Sequence, residues 1–154
     1  VYRNLKYDPG NKYQIPYLTG STGFAYNTDC VKEELTSWKS LWDEKYKGKI
    51  YMLDNMLAAY IAALQVNGFD ANSTSEAELE KATQSLIEQK TLLAGYNSTS
   101  VGDLVASGEA CIVEAWSGQV IQVIPENPQV RYVIPDEGGT LWFDGFSVVK
   151  NVLD

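Results

Sequence analysis

A tryptophan and a carboxylate stand two residues apart in the stretch GGTLWFDGFSVV, residues 138–149. If this stretch is extended, side chains alternate between faces, so Trp142 and Asp144 share one face and Phe143 takes the other. An aromatic wall beside an anion suits an organic cation. The same residues also fit a plainer role, with Trp142 in the core and Asp144 opening a turn with Gly145. Two further places offer chemistry. Trp116 ends ACIVEAW just before Ser117 and Gly118, and Asp54 and Asn55 follow KIYML. Trp116 reads equally as core or cleft lining, and Asp54 or Asn55 as a helix cap. Glu114 is expected at the solvated end of its strand, and VKEE reads as a solvated face. TGSTG resembles an anion-cradling loop only loosely, because it lacks a P-loop lysine.

Composition narrows the chemistry. The 154 residues are 45% apolar and 12% aromatic, enough for one domain with a real core. A net charge of −8 argues against nucleic acid and anionic membrane as partners, and it tolerates a cationic ligand. Histidine is absent, which removes the commonest general base together with Ser–His and Cys–His nucleophiles, so an enzyme is not expected. Cys30 and Cys111 form no C-x-x-C pattern, so neither zinc nor another metal or cofactor is expected. They are read as two unpaired thiols, Cys111 buried in a strand, unless the fold brings them together. The sequons at Asn72 and Asn97 read as surface turns. No apolar run approaches a transmembrane length, and VYRNLKYDPG does not read as a signal peptide, so an exported protein would carry its targeting segment elsewhere.

The elements that must position these residues follow from the punctuation. QIPYLTGSTGFAYN reads as strand, turn and strand about Gly20 and Gly23. Thr36 or Ser37 caps a helix carrying Trp38, Leu41 and Trp42 as packing residues and ending at Gly48. KIYML is a buried strand, and DNMLAAYIAALQVNG a helix ended by Gly68. Ser75 and Glu78 form a capping box before a helix running to about Lys90. SVGDLVASGE is a short helix stopped by Gly108, and CIVEAW a strand. Ser117 caps a helix broken by Pro125, after which VRYVIP and LWFDGFSVV are strands. Strands alternating with helices predict a three-layer α/β/α domain. Ligands in such sheets collect at the carboxyl ends of strands, so Trp116, Trp142 and Asp144 could face one cleft.

Taken in order, DPGNKYQIPYLTGSTGFAYN, TSWKSLWDEKYKGKIYMLD, EAWSGQV and PDEGGTLWFDGFSVVKN resemble the second lobe of the periplasmic spermidine/putrescine-binding proteins. The resemblance implies the type II periplasmic-binding-protein fold with a mixed sheet, and a noncatalytic solute receptor of an ATP-driven importer. It also implies a periplasmic or membrane-anchored extracellular location, as a lipoprotein or permease fusion. Residues 1–154 would be a single α/β lobe, with inter-lobe crossings near 15–20 and 146–149. The implied partners are a small organic amine, the permease subunits and the first lobe of the same protein. Carried over position by position, Trp116 lies along the polyamine methylenes, and Trp142 and Asp144 pack on the chain and take an ammonium group. The family's acidic pair at the helix start is replaced by Asn55, a weak ligand candidate, and Ala58. The rival reading is a ligand-sensing or structural module that kept the fold without transport.

Overall fold

A computed structural model describes residues 5–150, and within it the chain divides into two compact units. The larger is residues 21–140, and the described part of the smaller is residues 5–20 and 141–150. Sequence readings of residues 1–4 and 151–154 lie outside the described residues.

The larger unit is a mixed sheet in the order β3-β2-β4-β1-β5. Its strands are β1 (Ile15–Asn27, which enters from the smaller unit), β2 (Ile50–Met52), β3 (Leu93–Tyr96), β4 (Ile112–Trp116) and β5 (Val130–Val133). β2 runs parallel to both β3 and β4, while β1 is antiparallel to β4 and β5. Helices α1 (Met56–Val66), α2 (Glu76–Gln89), α3 (Val101–Ser107) and α4 (Ser117–Ile121) cover it. In the smaller unit β6 (Thr140–Phe146) pairs with β1.

Alternation in β4 sorts the layers. Ile112 packs with Phe24, Trp38, Leu41, Ala59 and Ala62 on the α1 side, whereas Val113 and Ala115 pack with Val101, Val105 and Val120 on the α3 and α4 side. α2 lies on α1 through Ala82, Ala63 and Leu64. Trp38 is the largest fully buried side chain, and its indole N–H donates to Gln65 Oε1 at 3.0 Å and to the Gly138 carbonyl at 2.8 Å. Its packing role is therefore as expected. Truncating such a residue to alanine costs about 3–5 kcal/mol.

Several local expectations are corrected. β1 is one continuous strand of 13 residues instead of two joined by a turn. Gly23 serves close packing there, since a Cβ on it would run into the Val133 carbonyl of β5. The segment after Ser37 forms two 3-10 turns, Trp38–Trp42 and Glu44–Tyr46, because Asp43 is extended and starts a second cap with its carboxylate accepting from Lys45 N–H. Ser117 begins α4 inside the helix, with Trp116 as its N-cap, and its hydroxyl accepts from Ser21 N–H at 3.1 Å. α4 stops at Ile121, and Ile124–Glu126 form a separate 3-10 turn around Pro125. Ser75 is the N-cap of α2, but its side chain makes no capping bond.

The thiol expectation is overturned as well. Cys30 and Cys111 form a disulfide with Cα atoms 5.8 Å apart and a sequence separation of 81. The β1–β4 ladder, in which Tyr26 pairs with Ile112, brings the turn after β1 beside the start of β4. Among the described residues, no helix is long and apolar enough to cross a membrane.

Candidate functional site

β3, β2 and β4 run in one direction, so their carboxyl ends share one edge of the larger unit. Met52 is level with Tyr96, and Ile50 with Ile112. The edge thus collects Tyr96, the Leu53–Asn55 turn and Trp116. Parallel strands followed by helices place ligand-facing residues at such an edge.

Each group there has a local cause. Asn55 is extended and caps α1, its Oδ1 accepting from Ala58 N–H at 3.0 Å. Asn55 is exposed, whereas Ala58 is buried against the cluster of Leu53, Val113 and Ala115. The two positions therefore do not present side chains to solvent together. Asp54 is exposed and makes no cap, so the capping role falls to Asn55. Trp116 is half-buried at the end of β4 and packs against the same cluster.

Glu114 departs furthest from expectation, being wholly buried instead of solvated. Helices cover both faces of β4, so its alternation hides no solvated side. Glu114 shares a strand face with Trp116 and is level with Phe24 across the ladder. Its Oε2 accepts from Leu53 N–H at 3.1 Å, and its Oε1 has no hydrogen-bond partner among the described residues. Burial pushes its pKa up to about 8, against the opposing pull of the Leu53 N–H. At the end of β3, burial and the nearby Glu114 charge both raise the Tyr96 phenol. Glu114 was legible in one respect only: it is the single charged residue in an otherwise apolar strand, two positions before a tryptophan.

The smaller unit holds Trp142 and Asp144, two apart on β6 and so on one side of it. The Trp142 carbonyl accepts from the Thr19 hydroxyl at 2.9 Å, fixing β6 against β1. Its ring is half-buried, with the indole N–H buried and unpartnered among the described residues. Asp144 is exposed. A Cβ on Gly145 would overlap the Gln14 side chain, which explains a glycine beside Asp144. Asp8, a carboxylate that sequence reading passed over, is buried and accepts backbone N–H bonds from Lys12, Tyr13 and Gln14. It organises the loop entering β1. Among the described residues, no group of three or more His, Cys, Asp or Glu side chains is placed to hold a metal ion.

An α/β unit with an aromatic and a helix start at the carboxyl edge of parallel strands has the architecture of a solute-binding lobe of the type II periplasmic-binding-protein fold. The chain belongs to the bacterial extracellular solute-binding protein family, which it matches over residues 4–153. These are binding proteins of the extracytoplasmic space and not enzymes. It is 33% identical over 146 residues to spermidine/putrescine-binding periplasmic protein 1 of Haemophilus influenzae, covering 94% of this chain and 41% of that protein. It is 31% identical to the spermidine/putrescine-binding periplasmic protein of Escherichia coli, covering 96% of this chain and 43% of that one. The crystal structure of the spermidine/putrescine ABC transporter substrate-binding protein PotD from Streptococcus pneumoniae superposes with a TM-score of 0.83 at 30% identity, over 92% of this chain and 44% of that one. The chain thus spans less than half the length of the relatives it matches.

Proposed function

We propose that this chain is one ligand-binding lobe of a receptor that delivers spermidine, putrescine or a related organic cation to an ATP-driven importer. On this reading residues 1–154 form a single lobe with crossings near 15–20 and 146–149, and its partners are the other lobe and the permease subunits. The observation that carries it is Trp116, an aromatic at the carboxyl edge beside the start of α1. A polyamine is apolar between its charges, so an indole face along the methylenes and a carboxylate on an ammonium divide the recognition. Trp142 and Asp144 take the corresponding roles on β6, where Asp144 is exposed and open to a ligand. The relatives named for spermidine and putrescine support the same ligand class.

Asn55 contributes little beyond its cap, because its amide oxygen is engaged by Ala58 N–H. The test is calorimetric titration of the two-lobed protein containing this chain with a panel of diamines, triamines and amino acids. Saturable binding of spermidine or putrescine, tighter than to this chain alone, is expected. A folded two-lobed protein that binds no amine of the panel would remove the reading.

A further inference from the structure

Two carboxyl groups are buried among the described residues, and they are treated in opposite ways. Asp8 is fully served by backbone N–H groups. Glu114 has one such bond, from Leu53, and leaves Oε1 unpartnered at zero exposure. An unpaired buried polar atom costs about 1–3 kcal/mol, so its retention calls for a reason. Its position suggests one. Leu53 lies two residues before Asn55, which places the Glu114 carboxyl below the entry to α1.

We propose that Glu114 is a second ammonium-binding carboxyl of this lobe, besides Asp144, placed beneath the start of α1, and that a cationic ligand releases its proton on binding. The inference rests on the organic-cation reading above. In the step, the carboxyl O–H bond breaks, the proton passes to buffer, and the carboxylate so formed pairs with the ligand ammonium, which keeps all its own protons. The neighbours of Glu114 suit this exchange. It receives the Leu53 N–H from the end of β2, feels the Tyr96 phenol from the end of β3 and is level with Phe24 on β1. The start of α1 brings uncharged Asn55, Met56 and Leu57 behind an exposed Asp54. Met56 and Leu57 are 79% and 69% exposed, an apolar surface that matches the stem of an alkyl amine. Trp116, two residues after Glu114 on β4 and half-buried against the cluster of Leu53, Val113 and Ala115, offers an aromatic at the same edge. Burial holds the carboxyl neutral without a ligand, and a desolvated ammonium restores the favour toward its anion.

The experiment is calorimetry of spermidine binding to the two-lobed protein, in two buffers of different ionisation enthalpy, with wild type and Glu114→Gln. Wild type should release close to one proton per spermidine near neutral pH, and its affinity should rise up to about tenfold per pH unit below about pH 8. The glutamine variant keeps an acceptor for Leu53 N–H; it should release no proton and bind about tenfold or more weakly. Spermidine binding by wild type without proton release, or release that persists in the variant, overturns the role of Glu114 and leaves the polyamine reading standing. Failure of the folded wild type to bind any amine of the panel overturns both. Should Glu114→Gln not fold, Glu114→Leu takes its place in the same titration: loss of the proton release supports the role, and release that persists overturns it.

Discussion

β4 and β6 carry the same two residue types at the same spacing, and the fold gives them opposite settings. In β4 the carboxylate is Glu114 and the tryptophan Trp116, on a strand covered on both faces. In β6 the order is Trp142 then Asp144, and the carboxylate is exposed. Desolvation holds Glu114 as an acid up to about pH 8. Asp144 keeps water, and an ammonium can reach it without first opening the fold. A carboxylate two residues from a tryptophan therefore specifies a face, and the layers above that face decide its chemistry.

The comparison can be pressed hardest at the start of β4, where the disulfide adds a covalent tie that β6 lacks. Replacing Cys30 and Cys111 with serine frees a loop of 81 residues and should lower the unfolding free energy by about 4 kcal/mol, read by denaturant titration. No loss of stability would show that the bond does not hold β4 in place.

The next effect is one of pH. Folded Glu114 keeps its proton up to about pH 8, whereas the unfolded carboxyl releases it near 4.5. Across that window the folded state binds more protons, so this contribution is full below the lower value and is lost as pH rises through the upper one. Relative to wild type, Glu114→Gln should gain on the order of a few kcal/mol in stability between the acid and alkaline ends of the window. Parallel stability curves for the two proteins would mean that Glu114 is solvated.

The smallest effect belongs to β6. Asp144→Asn should change stability by no more than about 0.5 kcal/mol, since the residue is exposed, while weakening amine binding by the two-lobed protein. A large drop in melting temperature with affinity intact would make Asp144 a structural residue.

The sequence carried the architecture well where local signals are strong. Asn55 was one of two expected caps, Gly108 closes α3 in a left-handed conformation, and the strands around Ile50, Ile112, Val130 and Leu141 lie where apolar runs placed them. β3 escaped notice because Leu93–Tyr96 is a short edge strand interrupted by Gly95, with only one face leaning inward. The protonation of Glu114 and the Cys30–Cys111 bond were not legible for a common reason. Both depend on which strands become neighbours, and that pairing joins residues far apart in the chain. Trp142 and Asp144 were placed on one strand side by alternation alone, a rule that needs no tertiary partner.

The loop before β6 is clamped at three successive residues. Asp136 N–H donates to the Thr36 carbonyl, the Glu137 carboxylate takes the Ser37 hydroxyl and the Trp38 N–H, and the Gly138 carbonyl takes the Trp38 indole N–H. Gln65 closes the arrangement by donating to the Glu137 carbonyl. In mechanical terms this is a fixed mount. A force arriving at residue 138 is passed to a fully buried indole, so the loop of residues 136–138 is held to the core of residues 21–140.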